Sequence, residues 1–79
     1  MKVIVKFFGA TAEVTGERDI EIELRDTSSV EQAVASINGT YPHLEHHKLL
    51  FALNQEYCSL DHILSEGDEV AIFTAVSGG

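Results

Sequence analysis

The chain has 79 residues, of which 44% are hydrophobic. Its formal charge is -8, because it has 13 acidic residues and only 5 basic ones. A chain of this length forms one domain that buries roughly 60% of its unfolded surface, which leaves no room for a deep enclosed active site. The acidic surface disfavours nucleic acid and anionic membranes as ligands, and no apolar run reaches the ~20 residues of a membrane helix.

The first part of the chain predicts two strands. Lys2–Phe8 is rich in β-branched and aromatic residues, which is typical of a strand. Gly9–Gly16 predicts a short connection with one or two helical turns. Asp19–Leu24 alternates acidic and aliphatic residues, so it predicts a half-buried antiparallel strand with its acidic side towards water. We expect these two strands to pair in a hairpin-like manner.

A helix follows the second strand. Ser28 and Glu31 have the spacing of a capping box at a helix start. Gly39 predicts the helix end, and Pro42 prevents its continuation soon afterwards. The apolar stripe that the helix would bury is Val30, Ala33, Val34 and Ile37.

The last part of the chain predicts three more strands. Leu49–Leu53 is a mostly apolar run and predicts an interior strand. Asn54–Glu56 predicts a turn, and Tyr57–Cys58 a short return strand. Leu60–Leu64 predicts one helical turn. Glu69–Phe73 predicts the final strand, with alternate residues on opposite faces of the sheet.

These elements together predict an α+β fold. A single amphipathic helix must bury its stripe, and the sheet is the only available surface. One main helix packed on one face of a mixed sheet of four to five strands is the ubiquitin-like β-grasp arrangement. We expect residues 1–75 to form this domain and residues 76–79 to form a flexible C-terminal tail.

The predicted tail ends in Gly78-Gly79. Glycine has no Cβ and the widest choice of backbone angles, so such a tip can pass down a narrow channel. A carboxylate on Gly79 is a poor acyl donor until ATP adenylates it. Sulfide or a persulfide could then displace AMP to give a thiocarboxylate, and an amine could displace it to give an amide. The chain has no phosphate-binding loop, so a separate enzyme must perform the activation. The simpler alternative is an unstructured end without chemistry.

Several segments resemble a known family, the small subunit of molybdopterin synthase. The most specific are Gly67–Phe73 and the terminal Val76-Ser77-Gly78-Gly79. Leu53–Gln55 resembles that family's Val-Asn-Gln turn, and Lys6–Gly9 resembles its first strand. Family tails commonly carry two prolines where this chain has Thr74-Ala75. Because proline stiffens an extended segment, this difference predicts a more flexible tail.

The resemblance implies a role as a sulfur carrier. An adenylating enzyme similar to ubiquitin-activating enzymes would use ATP to activate Gly79, and sulfur would be installed there as a thiocarboxylate. The residues Val76, Ser77 and Gly78 would then lead Gly79 into the large synthase subunit, in a heterotetramer. Sulfur would pass to cyclic pyranopterin monophosphate and build the dithiolene of the molybdenum cofactor. The large subunit would supply the catalytic residues, and this chain would hold no cofactor.

The resemblance also implies a contact surface for the large subunit at Phe8, Tyr57 and Phe73. Strand alternation independently places Phe8 and Phe73 on the face opposite the helix. Exposed aromatic residues beside the tail would form a docking patch. The alternative is that one or more of these side chains completes a second small core.

Three other functions stay open from the sequence. The nearest is a sulfur carrier for thiazole or thionucleoside synthesis, which would form the same thiocarboxylate for a different acceptor. The second is a ubiquitin-like protein modifier that is joined to lysine amines. The third is an interaction module whose tail has no chemistry. The first predicts the same thiocarboxylate with a different acceptor, the second predicts an amide, and the third predicts no change of the terminal carboxylate.

The histidines and the cysteine could suggest a metal site or a catalytic nucleophile, but their sequence context predicts neither. His43, His46 and His47 follow a proline and have no cysteine close in sequence, so we expect a solvated loop and no metal. Cys58 with His62 could suggest a nucleophile and its base, but a lone cysteine is often a small apolar residue. Because a single cysteine forms no intrachain disulfide, we expect a reducing, cytoplasmic location.

Overall fold

The computed structural model describes residues 1–75, which form a mixed five-stranded sheet with one main helix packed on one face. This is the predicted β-grasp architecture. The predicted tail, Val76 to Gly79, lies outside the described residues. The strands are β1 (Lys2–Phe7), β2 (Asp19–Glu23), β3 (Leu49–Leu53), β4 (Glu56–Tyr57) and β5 (Glu69–Thr74). The helices are α1 (Ala10–Thr15) and α2 (Val30–Thr40), and Pro42–His46 is a 3₁₀ helix.

The sheet has the strand order β2-β1-β5-β3-β4. Its central pair, β1 and β5, is parallel, and every other pair is antiparallel. The pairing of β1 with β2 is therefore antiparallel as predicted, although α1 lies between them in the chain. The β3–β4 hairpin completes the sheet on the side opposite β2, so the sheet has one edge at β2 and the other at β4.

The core lies between the sheet and α2. The apolar stripe of α2 faces it as predicted, except that Val34 is only partly buried at the margin. Tyr41 packs edge to face against Phe7, with 5.8 Å between the ring centroids. Neither helix in residues 1–75 has the length or apolar character that a membrane crossing requires. The buried core side chains are Val3, Val5, Phe7, Val30, Ala33, Ile37, Leu44, Leu53, Leu64, Val70 and Ile72.

The 3₁₀ helix contributes one core residue that the sequence pattern did not single out, Leu44. Its side chain is fully buried, whereas that of Leu60 is 43% exposed. We expect Leu44→Ala to lower the free energy of unfolding by about 2–5 kcal/mol, because it removes apolar contacts and leaves a cavity. Urea denaturation would measure the change. Leu60→Ala is the control with an expected effect of roughly 0.5 kcal/mol or less, and equal losses in both variants would contradict this packing.

The capping box of α2 lies one residue later than predicted. Ser29 is the N-cap: its hydroxyl accepts a hydrogen bond from the Gln32 amide, and the Gln32 side chain accepts one from the Ser29 amide. Ser28 is not the cap: the amide of Glu31, which its hydroxyl would have to bind, donates to the carbonyl of Leu60, and the Ser28 hydroxyl donates to the carbonyl of Arg25 at 2.6 Å. Both Ser28-x-x-Glu31 and Ser29-x-x-Gln32 satisfy the pattern. The hydrogen bonds at the start of the helix therefore select between them.

The end of α2 also differs from the prediction. The helix continues through Gly39 to Thr40, and the chain leaves it at Tyr41, directly before Pro42. Gly39 has helical geometry, without the positive φ of a glycine C-cap. Proline therefore ends this helix, because the backbone of the residue before a proline is biased away from helical angles.

The predicted helical turn at Leu60–Leu64 is wrong. This segment has no helix, and its Ile63 forms an isolated bridge with Ser29. Its carbonyl groups accept hydrogen bonds from the first amides of α2: Val30 donates to His62, and Glu31 donates to Leu60. The first amides of a helix have no partner within the helix. The segment is therefore a turn at Leu60 and Asp61 followed by the bridge at Ile63, and its carbonyl groups cap the start of α2.

Candidate functional site

The candidate site lies on the face of the sheet that α2 does not cover, which we call the open face. Alternation along a strand sends successive side chains to opposite faces. Because Val5 and Phe7 of β1 are buried in the core, Lys6 points to the open face. The same argument applies to β5, where Val70 and Ile72 are buried. The open-face residues of β5 are therefore Glu69, Ala71 and Phe73.

The three predicted contact residues lie on or beside this open face. Phe8 follows the last residue of β1 and is 51% exposed, and Tyr57 of β4 is 80% exposed. Phe73 is half-buried, and its ring centroid lies 6.0 Å from that of Tyr57. None of them belongs to the core. The prediction that Phe8 and Phe73 lie off the helix-covered core therefore agrees with the structure, and their role as partner contacts stays a prediction.

An open groove of about 880 Å³ runs between Phe8 and Phe73, and we call it the aromatic groove. Thr74, the last residue of β5, is one of its lining residues. The groove is therefore next to the point where the chain continues towards residues 76–79. Its lining residues are Lys6, Phe8, Gly9, Ala10, Gln55, Glu69, Ala71, Phe73 and Thr74.

The groove carries one ion pair that the sequence analysis missed. The Lys6 ammonium lies 3.4 Å from a carboxylate oxygen of Glu69, and both side chains are partly exposed. A pair of this kind contributes less than about 1 kcal/mol to stability. It places a polar contact beside the aromatic side chains of the groove. Strand alternation places Lys6 and Glu69 on the same face as Phe8 and Phe73, so the sequence pattern already indicated that both side chains lie on the open face.

The β3–β4 turn sets one rim of the groove. Asn54 and Gln55 have φ values of 49° and 72°, as two-residue hairpin turns require. The side chain of Asn54 donates to the carboxylate of Asp68 at 3.1 Å and accepts from the amide of Glu69 at 3.0 Å. These bonds fix the turn against the start of β5. Gln55, which follows, is thereby held at the groove.

The other rim is fixed by Thr11, whose side chain is fully buried. Its hydroxyl accepts a hydrogen bond from the amide of Phe8 at 3.0 Å. The hydroxyl oxygen also lies 2.7 Å from the carbonyl of Ile72 and 2.8 Å from that of Phe8, either of which can accept its proton. Thr11 thus joins the end of β1 to β5 at the place where Phe8 and Phe73 enter the groove.

Removing this hydroxyl tests how much it stabilises the junction. We expect Thr11→Val to lower the free energy of unfolding by about 1–2 kcal/mol, because a buried hydrogen-bonding group is lost at constant volume. Chemical denaturation would measure it. Thr11→Ser keeps the hydroxyl and is the matched control, so a Ser variant less stable than the Val variant would contradict the hydrogen-bonding role.

The other chemically suggestive side chains do not form a reactive centre in the described part of the chain. Burial raises the pKa of the Cys58 thiol, which disfavours the nucleophilic thiolate. The rings of His43 and His46 stack with 6.1 Å between their centroids. Within residues 1–75, no three His, Cys, Asp or Glu side chains come together as a metal site.

Comparison with known proteins decides the family. The ThiS family model matches residues 5–79. The chain belongs to the ThiS family. It is 37% identical over 83 residues to the molybdopterin synthase sulfur carrier subunit of Chlamydomonas reinhardtii, with all of both chains covered. The resemblance found from the terminal motifs is therefore confirmed at the level of the family.

Two solved structures of similar proteins extend this comparison. The ThiS-family fold of this chain matches SAMP1, the small archaeal modifier protein 1 of Haloferax volcanii, with a TM-score of 0.90, 28% identity and full coverage of both chains. It also matches a chain in the complex of subunits 1 and 2 of the molybdopterin-converting factor from Helicobacter pylori, with a TM-score of 0.71, 26% identity and full coverage of both chains. The β-grasp fold is thereby confirmed.

The ThiS match extends through the predicted tail, which is Val76, Ser77, Gly78 and Gly79. These residues lie outside the described part of the chain, so their roles stay predictions. The described residues supply a groove whose lining includes Thr74, two residues before this segment in the sequence. The role of Thr11 could not be predicted from local sequence, because the carbonyl that its hydroxyl contacts on β5, that of Ile72, is 61 residues away in the chain.

Proposed function

We propose that this chain is the sulfur-carrier subunit of a molybdopterin synthase. The observation that carries the proposal is the full-length similarity to a protein of that name in Chlamydomonas reinhardtii. The Helicobacter pylori relative, which is in a complex with a second subunit of the molybdopterin-converting factor, supports a role as one subunit of a pair. The role is that of a consumable sulfur donor, and the catalytic residues belong to the large subunit.

The chemistry takes place at the carboxylate of Gly79, which the proposal requires to be the last residue of the mature chain. A separate adenylating enzyme joins this carboxylate to the α-phosphorus of ATP, and pyrophosphate leaves. Sulfide from a sulfur donor then attacks the carbonyl carbon, the bond to AMP breaks, and a thiocarboxylate remains. Its sulfur is delivered to cyclic pyranopterin monophosphate during formation of the molybdopterin dithiolene. ATP is a substrate of the activating enzyme, and this chain binds no cofactor itself.

The large subunit docks on the aromatic groove in this proposal. Phe8 and Phe73 supply apolar area, and Tyr57 extends the surface beyond Phe73. Aromatic side chains commonly dominate the binding energy of protein interfaces. Residues 76–79 span about 13–14 Å when fully extended, which is enough to carry Gly79 away from the groove into the partner. We propose the heterotetramer expected from the resemblance, in the cytoplasm, where the single thiol of Cys58 stays reduced.

A protein modifier is the second candidate, and the similarity to small archaeal modifier protein 1 favours it. That relative is 30% identical over 84 residues. In a modifier, a lysine amine of the target protein would displace AMP from the adenylated carboxylate and form an amide. A carrier for thiazole or thionucleoside synthesis would form the same thiocarboxylate as a molybdopterin carrier and deliver it elsewhere.

Intact mass spectrometry separates these functions. The protein is incubated with the adenylating enzyme of its host, ATP and a sulfur source. A gain equal to the replacement of one oxygen by sulfur supports a carrier, and high-mass conjugates without that gain support a modifier. Binding and turnover with a purified large synthase subunit then distinguish a molybdopterin carrier from other carriers. No gain of sulfur under any of these conditions contradicts the proposed function.

A further inference from the structure

The outer edge of β2 has free backbone groups. At its two ends, Leu24 donates to the carbonyl of Met1 at 2.9 Å, and Arg18 accepts from Phe7 at 2.8 Å. Hydrogen-bonded pairs alternate along an antiparallel ladder, so the residues bonded to β1 are the even-numbered ones. The amides and carbonyls of Asp19, Glu21 and Glu23 therefore point away from β1. No hydrogen bond from another segment reaches them within residues 1–75.

The same three residues also direct their side chains to the open face. They lie opposite Lys6, Ile4 and Lys2 in the register, and each of the three is exposed. One of them, Glu21, pairs loosely with Lys2 at 3.7 Å, where both side chains are about 60% exposed. In a strand that joined this edge, residues directly opposite these carboxylates would also face the open side. Lysine or arginine at alternate positions of that strand would therefore lie opposite the carboxylates of Asp19, Glu21 and Glu23, which we call the acidic row.

A second copy of this chain is a poor occupant of the edge. Antiparallel pairing of β2 with itself about Glu21 would place Glu21 opposite Glu21 and Asp19 opposite Glu23. Six carboxylates would then share one face, and like charges directly opposite each other are destabilising. The formal charge of -8 opposes the approach of another copy and favours a basic partner. The three carboxylates on β2 and the net charge of the whole chain therefore both favour a basic partner segment over a second copy.

We propose that the β2 edge binds an extended segment of a partner protein that carries lysine or arginine at alternate positions, and that this segment joins the sheet as a sixth strand. Backbone hydrogen bonds to Asp19, Glu21 and Glu23 provide the pairing, and their carboxylates select the sequence. Only β1 lies between β2 and β5 in the sheet order. Because strands are about 4.8 Å apart, the edge is about 10 Å from β5, which borders the aromatic groove. The edge does not depend on the chemistry at Gly79.

A peptide titration tests the proposal. The probe is a short synthetic peptide in which lysine alternates with threonine or valine, added to the isotope-labelled full chain at low salt and observed by NMR. We expect saturable shifts in β2 and slower amide exchange at Asp19, Glu21 and Glu23. Ile20 and Ile22 already bond to β1, so their exchange changes little. A peptide with glutamate in place of lysine, and one with its lysines adjacent, serve as controls.

Two kinds of variant separate backbone pairing from attraction by charge alone. Glu21→Pro removes an outward amide that β1 does not use, a position where an edge strand tolerates proline, and it abolishes binding. Glu21→Gln keeps the backbone and weakens binding up to about fivefold. The double variant Glu21→Lys with Glu23→Lys reverses the preference to the glutamate peptide, and this test stands even if the proline variant does not fold.

The overturning results are specific. Binding without amide protection, or equal binding of the peptide with adjacent lysines, means attraction by charge alone and overturns the proposal. Unchanged affinity in folded Glu21→Pro also overturns it, as does the absence of saturable shifts with the peptide that carries alternating lysines. Sulfur loading at Gly79 is measured in a separate experiment, so failure of one inference leaves the other intact.

Discussion

A chain that lacks Gly79 is expected to gain no sulfur, although it folds as the full-length chain does. The deletion moves the terminal carboxylate to Gly78, which shortens its reach by about 3.3–3.6 Å. A misplacement of about 1 Å can already cost roughly 100-fold in rate, so adenylation should fall below detection. The fold should persist, because every core side chain identified in residues 1–75 is retained. Intact mass spectrometry after incubation with the adenylating enzyme, ATP and a sulfur source measures the result.

The matched control changes the same segment without changing its length. Ser77→Ala keeps the glycine pair and the position of the carboxylate, so it should gain sulfur as the unaltered chain does. Thermal melts of all three proteins should coincide. Sulfur gain by the chain without Gly79 would contradict the assignment of this residue as the site of activation.

The second large effect is expected at the aromatic groove, where Phe73→Asp should weaken binding of the large subunit by at least about 30-fold. The physical reason is the loss of an aromatic anchor and the desolvation of a new charge at a central contact, a change typically worth about 2 kcal/mol or more. Phe73 lies on the open face opposite Leu50 and packs against Tyr57, outside the core. The fold should therefore persist. Isothermal titration calorimetry measures binding, and circular dichroism measures the fold.

Two controls distinguish docking from stability. Ile63→Asp introduces the same charge at another exposed apolar residue, 54% exposed, which is not among the residues that line the groove. Its binding should be unchanged. Phe7→Asp places the charge in the core and should unfold the protein. Unfolding by Phe73→Asp would show that this ring is needed for the fold, and unchanged binding would remove the groove from the proposed interface.

Most of the fold follows from local patterns in the sequence. The alternation in Asp19–Glu23 and the stripe of α2 are each determined by which side chains must leave water, and both were predicted correctly. The errors come from contacts between distant segments. Ser29 and not Ser28 is the N-cap because the Glu31 amide, which Ser28 would bind, donates to the distant carbonyl of Leu60. The non-helical form of Leu60–Leu64 involves hydrogen bonds from the amides of α2, about thirty residues earlier in the sequence.

The candidate site was predictable to a similar extent. Strand alternation alone placed Phe8 and Phe73 on the open face. The ion pair of Lys6 with Glu69 was not predicted, because it also requires the register between β1 and β5. Thr11 could not be found from the sequence, because a threonine in a short helix has no pattern that indicates a hydrogen bond to Ile72. Local periodicity therefore locates the faces of the sheet, and the strand register decides which side chains meet on them.

The parallel pairing of β1 with β5 has a consequence for how the chain matures. Ile4 to Phe7 pair with Glu69 to Ile72, so the centre of the sheet forms only when segments far apart in the sequence have met. Contacts of such long range slow folding, because loop closure precedes the gain from contact. The aromatic groove needs both strands, and Phe8 and Phe73 come together only across this pair. A partner that docks on the groove as proposed would therefore bind only chains in which β1 and β5 have already paired.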